Sequence, residues 1–252
     1  MRYHKITGEI EVLTGLHIGC KVDSAKIGSF DNAVVRMKKF IDDMEVDIPY
    51  IPGSSLKGKM RYLIEKNLGL LHFRDPSQPY VGLPTIIKNA RPKSFHESLI
   101  VNLFGTPEER WQFGPTRLLF RDSLINANQE RKFITGEFRT EIKTEAAIQR
   151  DTGHSYQPRP IERVPAGIKF DMEMILRTID EKDEGNLEKY IELIKLGLYL
   201  IELDYIGGGG SRGSGKVRFN NIKIDDKEIS IKEEIKLSEI KRERYEVIPN
   251  SK

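Results

Sequence analysis

The sequence has little cysteine and no long apolar run. Cys20 is the single cysteine among 252 residues, so the chain can form neither an internal disulfide nor a zinc site built on cysteines. No apolar stretch approaches the roughly 18 residues that a membrane helix needs. The first ten residues, MRYHKITGEI, lack the apolar core of a signal peptide. These absences predict a cytoplasmic protein without a membrane partner.

The chain also lacks a strong excess of either charge. Its 41 Lys and Arg against 38 Asp and Glu give a net charge of +3, which is too small to indicate a nucleic-acid partner by itself. The distribution is more informative. Gly207–Phe219 contains basic residues and no acid, and Ser54–Lys66 contains several basic residues against one acid, Glu65. Acidic residues concentrate instead in Asp180–Glu184 and Asp225–Glu234.

Apolar periodicity predicts an α+β protein. The candidate strands are Lys5–Leu13, Val34–Lys39, Val46–Tyr50, Arg117–Asp122, Phe170–Leu176 and Val217–Ile224, with a polar turn at Ile41–Glu45. The candidate helices are Ser54–Lys66 and Leu187–Leu203, with a shorter one at Ser94–Phe104. Without insertions the order is strand, helix, strand, strand, helix, strand, which is typical of a ferredoxin-like or RNA-recognition-motif (RRM) sheet. Such a sheet leaves one face free for RNA.

Three segments lie outside this pattern in what we interpret as one domain, residues 1–252. Residues 68–115 are rich in proline and predict an insertion over the core. Residues 135–167 are polar and too long for an ordinary connection, which favours a protruding hairpin. Residues 225–252 form a charged C-terminal segment.

A Gly-rich stretch at Ile206–Lys216 is the sharpest local feature. Six glycines there need a reason, because each costs backbone entropy. One reason is close approach to a phosphate chain, with Gly208, Gly209 and Gly210 presenting outward N–H groups and with Arg212 and Lys216 adding charge-assisted contacts. The alternative is a flexible helix-to-strand loop.

A second basic stretch, Pro52–Arg61, combines a helix start with cations. Ser54 or Ser55 can cap the helix, and a helix N-terminus attracts anions. The candidate ligands on this helix are Lys57, Lys59 and Arg61. A capped amphipathic helix with a solvated basic face would explain the same residues.

Both basic stretches nearly match a P-loop, but each lacks the magnesium hydroxyl. Gly53–Lys59 and Gly210–Lys216 fit G-x-x-x-x-G-K, which should be followed by Ser or Thr. The next residues are Met60 and Val217. A nucleotide-hydrolysing function is therefore disfavoured.

Two further polar residues are candidates for chemistry. His17, in TGLHIG, can serve as an acid–base group or contact a phosphate, although a hydrogen-bonded loop histidine is commoner. Asp31, in IGSFDN, is a lone carboxylate that spacing alone does not distinguish from a turn or cap residue.

Several stretches taken in order resemble one family. TGLHIG, IGSFDNAVVR, IPGSSLKGKMR, LFG, RLLFRD, RTEIKTEAAIQR, PRPIERV and ELDYIGGGGSRGSGKVRF are similar to the repeated backbone subunit of type III-A CRISPR (Csm) complexes, from the RAMP (repeat-associated mysterious protein) superfamily. The resemblance covers most of the chain and is weakest over Leu68–Pro92 and the C-terminal segment.

The resemblance implies a filament of copies along a CRISPR RNA, together with other Csm subunits. Each copy would have an RRM-like palm, a lid at residues 68–115 and a thumb hairpin at residues 135–167. It implies that Asp31 cuts target RNA with a divalent metal, Mg²⁺ in our prediction, for which Asp31 is a candidate ligand.

The resemblance also assigns binding roles. His17 matches the family histidine, and the guide-binding basic positions match Lys57, Lys59 and, in the thumb, Arg150. The Gly-rich loop would contact the guide backbone. Two alternatives remain open: a binding-only backbone subunit in which Asp31 is structural, and a CRISPR RNA processing enzyme that uses His17.

Overall fold

The computed structural model describes residues 1–19, 32–41, 43–69, 95–105 and 114–231. The elements in chain order are β1 Arg2–Val12, β2 Arg36–Ile41, β3 Met44–Ile51, α1 Gly53–Asn67, α2 Phe95–Phe104, β4 Leu118–Phe120, β5 Ser123–Ile125, α3 Ala127–Ile134, β6 Glu141–Ile148, β7 Ser155–Arg163, β8 Lys169–Thr178, α4 Glu181–Gly185, α5 Leu187–Leu203, β9 Val217–Ile224 and β10 Lys227–Glu228. This confirms a mixed α/β protein.

One antiparallel sheet organises the described residues. Its strand order is β10-β9-β1-β8-β5-β3-β2, and β4 also pairs with β8. The hairpin β6–β7 forms a separate two-stranded sheet. In chain order α1 follows β3 and precedes α2 and β4, and β3, β4 and β5 all lie on the side of β8 away from β1. Helix α5 lies between β8 and β9 in the chain.

The apolar alternation of β1 explains which face of the sheet is covered. Ile6, Ile10 and Val12 are buried, while Thr7, Glu9 and Glu11, which alternate with them on the other face, are only partly buried. Helices α1 and α5 pack together, and Gly197 of α5 lies so close to α1 that an added Cβ would stand 2.4 Å from Cγ of Met60. Close helix packing thus depends on a glycine in the middle of α5.

The opposite face of the sheet carries several ion pairs. Lys169 contacts Glu9 at 3.2 Å, and Lys5 contacts Glu173 at 2.9 Å. Arg218 lies 3.9 Å from Glu11. Acids alternate with bases here, so this face does not offer RNA the one-sided positive charge that phosphate binding favours.

A buried polar network joins β4 to the second half of the fold. Arg117 Nε donates to Asp183 Oδ2 at 2.9 Å, and the Tyr190 hydroxyl donates to Asp183 Oδ1 at 3.0 Å. Burial, followed by the Asp183 charge, raises the pKa of Tyr190 well above its ordinary value. Tyr190 therefore stays a hydrogen-bond donor to the carboxylate.

The polar turn predicted at Ile41–Glu45 is wrong in its extent. Met44 and Glu45 belong to β3, and Ile41 pairs with Met44 across a two-residue turn. Asp43 takes a φ of 62° there, a conformation that Asp tolerates better than most residues.

The predicted serine cap of α1 is also wrong. The cap residue is Pro52, which makes no side-chain cap bond. Asp122 supplies the missing acceptor, because its Oδ1 receives the Gly53 N–H at 2.8 Å. The helix start is thus bonded by a carboxylate from the link between β4 and β5.

No helix in the described part of the chain is both long and apolar enough to cross a membrane. Two of the segments predicted to lie outside the core pattern fall mostly outside the described residues. These are residues 70–94 and 106–113 of the predicted lid, and residues 232–252 of the C-terminal segment.

Candidate RNA-binding surface

The Gly-rich loop folds back onto the segment that carries His17. Gly208 N–H donates to the His17 carbonyl at 2.8 Å, and Gly215 N–H donates to the Gly15 carbonyl at 3.0 Å. Lys216 N–H donates to Thr14 Oγ1 at 3.0 Å. The structure therefore brings together two stretches that lie about 200 residues apart in sequence.

These bonds revise the role expected for the loop's backbone. Gly208 was predicted to present an outward N–H, but its N–H is bonded within the protein. Arg212, Gly213 and Ser214 N–H groups donate to carbonyls of the same loop. RNA contact at this loop would therefore depend on close approach of the RNA backbone and on side chains more than on a cluster of free backbone N–H groups.

Steric requirements explain several of the glycines. Gly207 has a φ of +78°, and a Cβ there would lie 2.2 Å from the His17 carbonyl oxygen. A Cβ at Gly210 would lie 2.1 Å from the Tyr205 ring, and one at Gly215 would lie 2.1 Å from the Ile206 carbonyl oxygen. The loop is a packed turn, which argues against the flexible-linker alternative.

The His17 ring has a defined tautomer. Its Nδ1 lies 2.7 Å from the Glu162 carbonyl oxygen, which only accepts, so Nδ1 carries the proton. Nε2 of the neutral ring is then the acceptor. It lies 3.0 Å from the position that a Cβ would take on Gly19, the last described residue before the segment that contains Asp31.

The Asp31 position lies outside the described residues, but both ends of its segment are placed. Gly19 pairs with Val34, and Val35 N–H donates to the Ile18 carbonyl at 2.8 Å. Glu162 N–H donates to the Asn32 carbonyl at 3.1 Å. The chain therefore leaves and re-enters the described fold beside His17 and Glu162.

Glu162 is a site residue that the sequence reasoning missed. Its buried carboxylate accepts from Val34 N–H at 2.9 Å, from Thr140 Oγ1 at 2.6 Å and from Arg36 at 2.5 Å. Burial would raise the pKa of Glu162, but the bonds from Thr140, Val34 and Arg36 outweigh it and lower that pKa below the usual range. The carboxylate therefore stays charged and anchors the segment after Asp31.

Two of the three predicted helix cations have protein partners. Lys59 pairs with Asp204 at 2.9 Å and lies 3.7 Å from the centre of the Tyr205 ring. Arg61 Nε donates to Glu65 at 2.7 Å, and its Nη1 donates to the Gly105 carbonyl at 2.9 Å. These contacts give both residues a structural use in addition to the predicted one.

Lys57 differs from its neighbours. It is half-buried, and no acid among the described residues lies within ion-pair distance of it. Burial, followed by repulsion from Arg61, lowers the pKa of Lys57. An ammonium in this situation gains from any anion that reaches it. Ser54 is exposed and Ser55 is half-buried in the same first turn of α1.

The hairpin β6–β7 docks on the Gly-rich loop through polar contacts. Arg163 donates to Ser214 Oγ at 3.1 Å and pairs with Glu141 at 2.5 Å. Lys143 donates to the Arg212 carbonyl at 2.7 Å. Arg150 lies in the exposed turn at the far end of the hairpin.

Within residues 1–19, 32–41, 43–69, 95–105 and 114–231, no group of three or more His, Cys, Asp or Glu side chains is arranged to hold a metal ion. Glu162, whose carboxylate bonds to Val34 just after the Asp31 segment, is committed to three donors. The described residues therefore do not by themselves form a metal site.

Comparison with known proteins adds family information. The model of the RAMP superfamily matches residues 9–218. The chain is 37% identical over 219 residues to the CRISPR system Cms endoribonuclease Csm3 of Streptococcus thermophilus, covering 87% of this chain and 88% of that protein. It is 35% identical over 250 residues to the protein of the same name from Methanothermobacter thermautotrophicus, covering 91% and 89%.

Among solved structures, a chain of the Csm3–Csm4 subcomplex of the type III-A CRISPR-Cas interference complex aligns with a TM-score of 0.47 and 25% identity. That alignment covers 88% of this chain and 77% of the other.

Proposed function

The chain belongs to the RAMP superfamily, and from that membership we propose that it is a guide-binding backbone subunit of a type III-A CRISPR interference complex that also cuts RNA complementary to the guide. Relatives that are 35–37% identical over most of their length are named endoribonucleases. The proposed partners are CRISPR RNA, target RNA, other Csm subunits and further copies of the chain in a filament, in the cytoplasm.

The observation that carries this proposal is a convergence at one place. The Gly-rich loop bonds to the His17 carbonyl, the His17 ring bonds to Glu162, and Glu162 holds Asn32 and Val34 beyond Asp31. A basic loop and the ends of the candidate catalytic segment are therefore neighbours. A nuclease that follows a bound guide needs these two features close together.

The strand order supports a ferredoxin-like palm as part of the proposal. Strands β9, β1 and β8 lie side by side, with β4 and β5 next to β8, and the helices α1 and α5 pack against each other. The hairpin β6–β7 is the proposed thumb, and residues 68–115, most of which lie outside the described residues, are the proposed lid.

In the proposed reaction Asp31 acts as general base on the target strand. The 2′-hydroxyl oxygen attacks the adjacent phosphorus while its proton passes to the carboxylate. The bond from phosphorus to the 5′-oxygen breaks, and that oxygen takes a proton from solvent. The products are a 2′,3′-cyclic phosphate and a 5′-hydroxyl. The proposed cofactor, Mg²⁺, would be held by Asp31 and would polarise the phosphate.

The basic residues would fix the guide without reading its sequence, because base pairing supplies the specificity. Lys57 is the best-supported guide contact on α1, since it is half-buried without an acidic partner among the described residues. The other proposed guide contacts are Ser54, Ser55, Lys59, Arg61, Arg150, Gly208, Gly209, Gly210, Arg212 and Lys216.

The test is cleavage of a labelled complementary RNA by the reconstituted complex carrying one defined guide. The proposal predicts cuts at regular intervals, each leaving a cyclic phosphate, and no cut where the target nucleotide is 2′-deoxy. Guide and target bound without cleavage would indicate a binding-only backbone subunit. Shortening of a precursor guide by the isolated chain would indicate a processing enzyme.

A further inference from the structure

Two cations at the joint between the hairpin and the Gly-rich loop share one carboxylate. We propose that Lys143 and Arg212 form a binding site for an RNA phosphodiester, and that Glu145 occupies this site while RNA is absent. The inference rests on the proposed RNA-binding function and adds to it a residue that opposes binding.

The geometry is that of an anion held between two donors. Lys143 Nζ lies 3.1 Å from one oxygen of Glu145, and Arg212 Nε lies 2.5 Å from the other. Lys143 also donates to the Arg212 carbonyl at 2.7 Å, which ties the two elements together. A phosphodiester offers the same pattern of two acceptor oxygens with one negative charge. Glu145 thus fills the position that such a group would take.

Exposure gives the order in which these groups would meet RNA. The Arg212 side chain is 59% exposed, while those of Lys143 and Glu145 are 30% and 18% exposed. The carboxylate therefore lies beneath its cations, and the guanidinium can turn to an incoming phosphate without unpacking the hairpin. An added Cβ at the neighbouring Gly213 would meet no atom within 4 Å, so the space beside that residue is open.

The charges of this cluster favour a phosphate that takes over the two donors from Glu145. Two cations against one carboxylate leave the cluster with an excess positive charge that attracts an anion. Although burial alone would raise it, the hydrogen bonds and charges of Lys143 and Arg212 lower the pKa of Glu145, so the carboxylate remains ionised at neutral pH. A phosphate that takes these donors stands beside that negative charge. RNA therefore binds less tightly than it would without Glu145.

The experiment is binding of a fluorescently labelled single-stranded RNA by the full chain, measured at several salt concentrations. Glu145→Gln keeps an oxygen that can accept from Arg212 or Lys143 and removes the charge. It should bind about fivefold more tightly, which is about the factor that one like charge roughly 4 Å away is worth in water. Lys143→Ala should bind more weakly, with a salt slope shallower by about 0.7.

The matched control is Glu188→Gln, which makes the same change of net charge. Glu188 is exposed at the first turn of α5, at the opposite end of that helix from the Gly-rich loop. If Glu145→Gln and Glu188→Gln bind equally well, the inference is wrong. It is equally wrong if the gain from Glu145→Gln persists when Lys143 and Arg212 are both replaced by Ala.

Failure of this inference can be separated from failure of the proposed function. A wild-type chain and complex that bind no RNA would contradict the function itself, whatever the variants do. Circular dichroism and thermal unfolding check that Glu145→Gln is folded. Should it not fold, the salt slope of Lys143→Ala still decides, because an unchanged slope would overturn the phosphate site.

Discussion

Glycine has two different uses in this chain, and single substitutions separate them. Gly207 has a positive φ and lies against the His17 carbonyl, whereas Gly58 is an exposed residue inside α1 around which an added Cβ would meet no atom within 4 Å. Both belong to stretches that look alike in sequence, basic and rich in glycine. Only the backbone conformation and the neighbouring atoms distinguish a glycine that packing requires from one that the helix merely tolerates.

We therefore expect opposite effects on stability from the same substitution. Gly207→Ala should lower the free energy of unfolding by about 1–3 kcal/mol, because the backbone is strained for an L residue and the Cβ would overlap an oxygen. Gly58→Ala should raise it by about 0.5–1 kcal/mol through helix propensity. Urea denaturation of both variants and the wild type measures this. Equal destabilisation by the two would refute the distinction.

Glu162 should make stability depend on pH in the acidic range. Its folded pKa lies below its ordinary value of 4.5, so the contribution of the carboxylate is fully present above that value and is lost as pH falls through the folded pKa. Glu162→Gln should cost about 1–3 kcal/mol at neutral pH, since Arg36 and Val34 lose a charged acceptor.

The same experiment includes its own control. As pH falls well below 4.5, the wild-type carboxyl becomes neutral and the difference from Glu162→Gln should shrink. A difference in unfolding free energy that stays constant across this range would show that Glu162 does not act through its charge.

At the scale of elements, the buried contact between β4 and α4 illustrates what periodicity cannot predict. The spacing of apolar residues predicted β1, β8, β9 and α5 well, because each of these elements has one buried face. The pairing of Arg117 with Asp183 depends on register between distant elements, so the sequence showed only an acidic run at 180–184 and a basic residue at the start of the predicted strand Arg117–Asp122. Helix α3 was missed for a related reason: none of its residues is buried.

Breaking this buried pair should destabilise the fold strongly. Arg117→Ala leaves the Asp183 carboxylate buried beside Tyr190, which typically costs about 3–5 kcal/mol. The control is Lys5→Ala, which removes an exposed partner of Glu173 and should cost no more than about 1 kcal/mol. Thermal unfolding of the two variants compares them directly. Similar losses would mean that burial does not decide the strength of ion pairs here.

At the scale of the whole molecule, sequence and structure contribute different parts of the candidate site. The sequence located the Gly-rich loop, the basic helix and His17, because unusual composition is visible without a fold. It could not show that Lys59 and Arg212 are paired with Asp204 and Glu145, since those acids lie elsewhere in the chain. The assignment of Asp31 came from the family resemblance, and the structure adds where its segment begins and ends.

The positive charge at the start of α1 should be visible in the salt dependence of RNA binding. Replacing Lys57 and Lys59 together by Ala should weaken RNA binding, with the larger share from Lys57, and should make the slope of log affinity against log salt shallower by up to about 1.4. Single replacements separate the two. A slope identical to that of the wild type would contradict a guide contact at the start of α1.

We propose that this backbone subunit cuts target RNA with Asp31, and replacement of Asp31 in every copy within the complex is the decisive test. A complex reconstituted with Asp31→Ala throughout is compared with the wild-type complex for guide content, target binding and target cleavage. We expect unchanged guide and target binding, with cleavage lost at every regular site. Cleavage by the variant complex at the wild-type rate, with the same products, would contradict it.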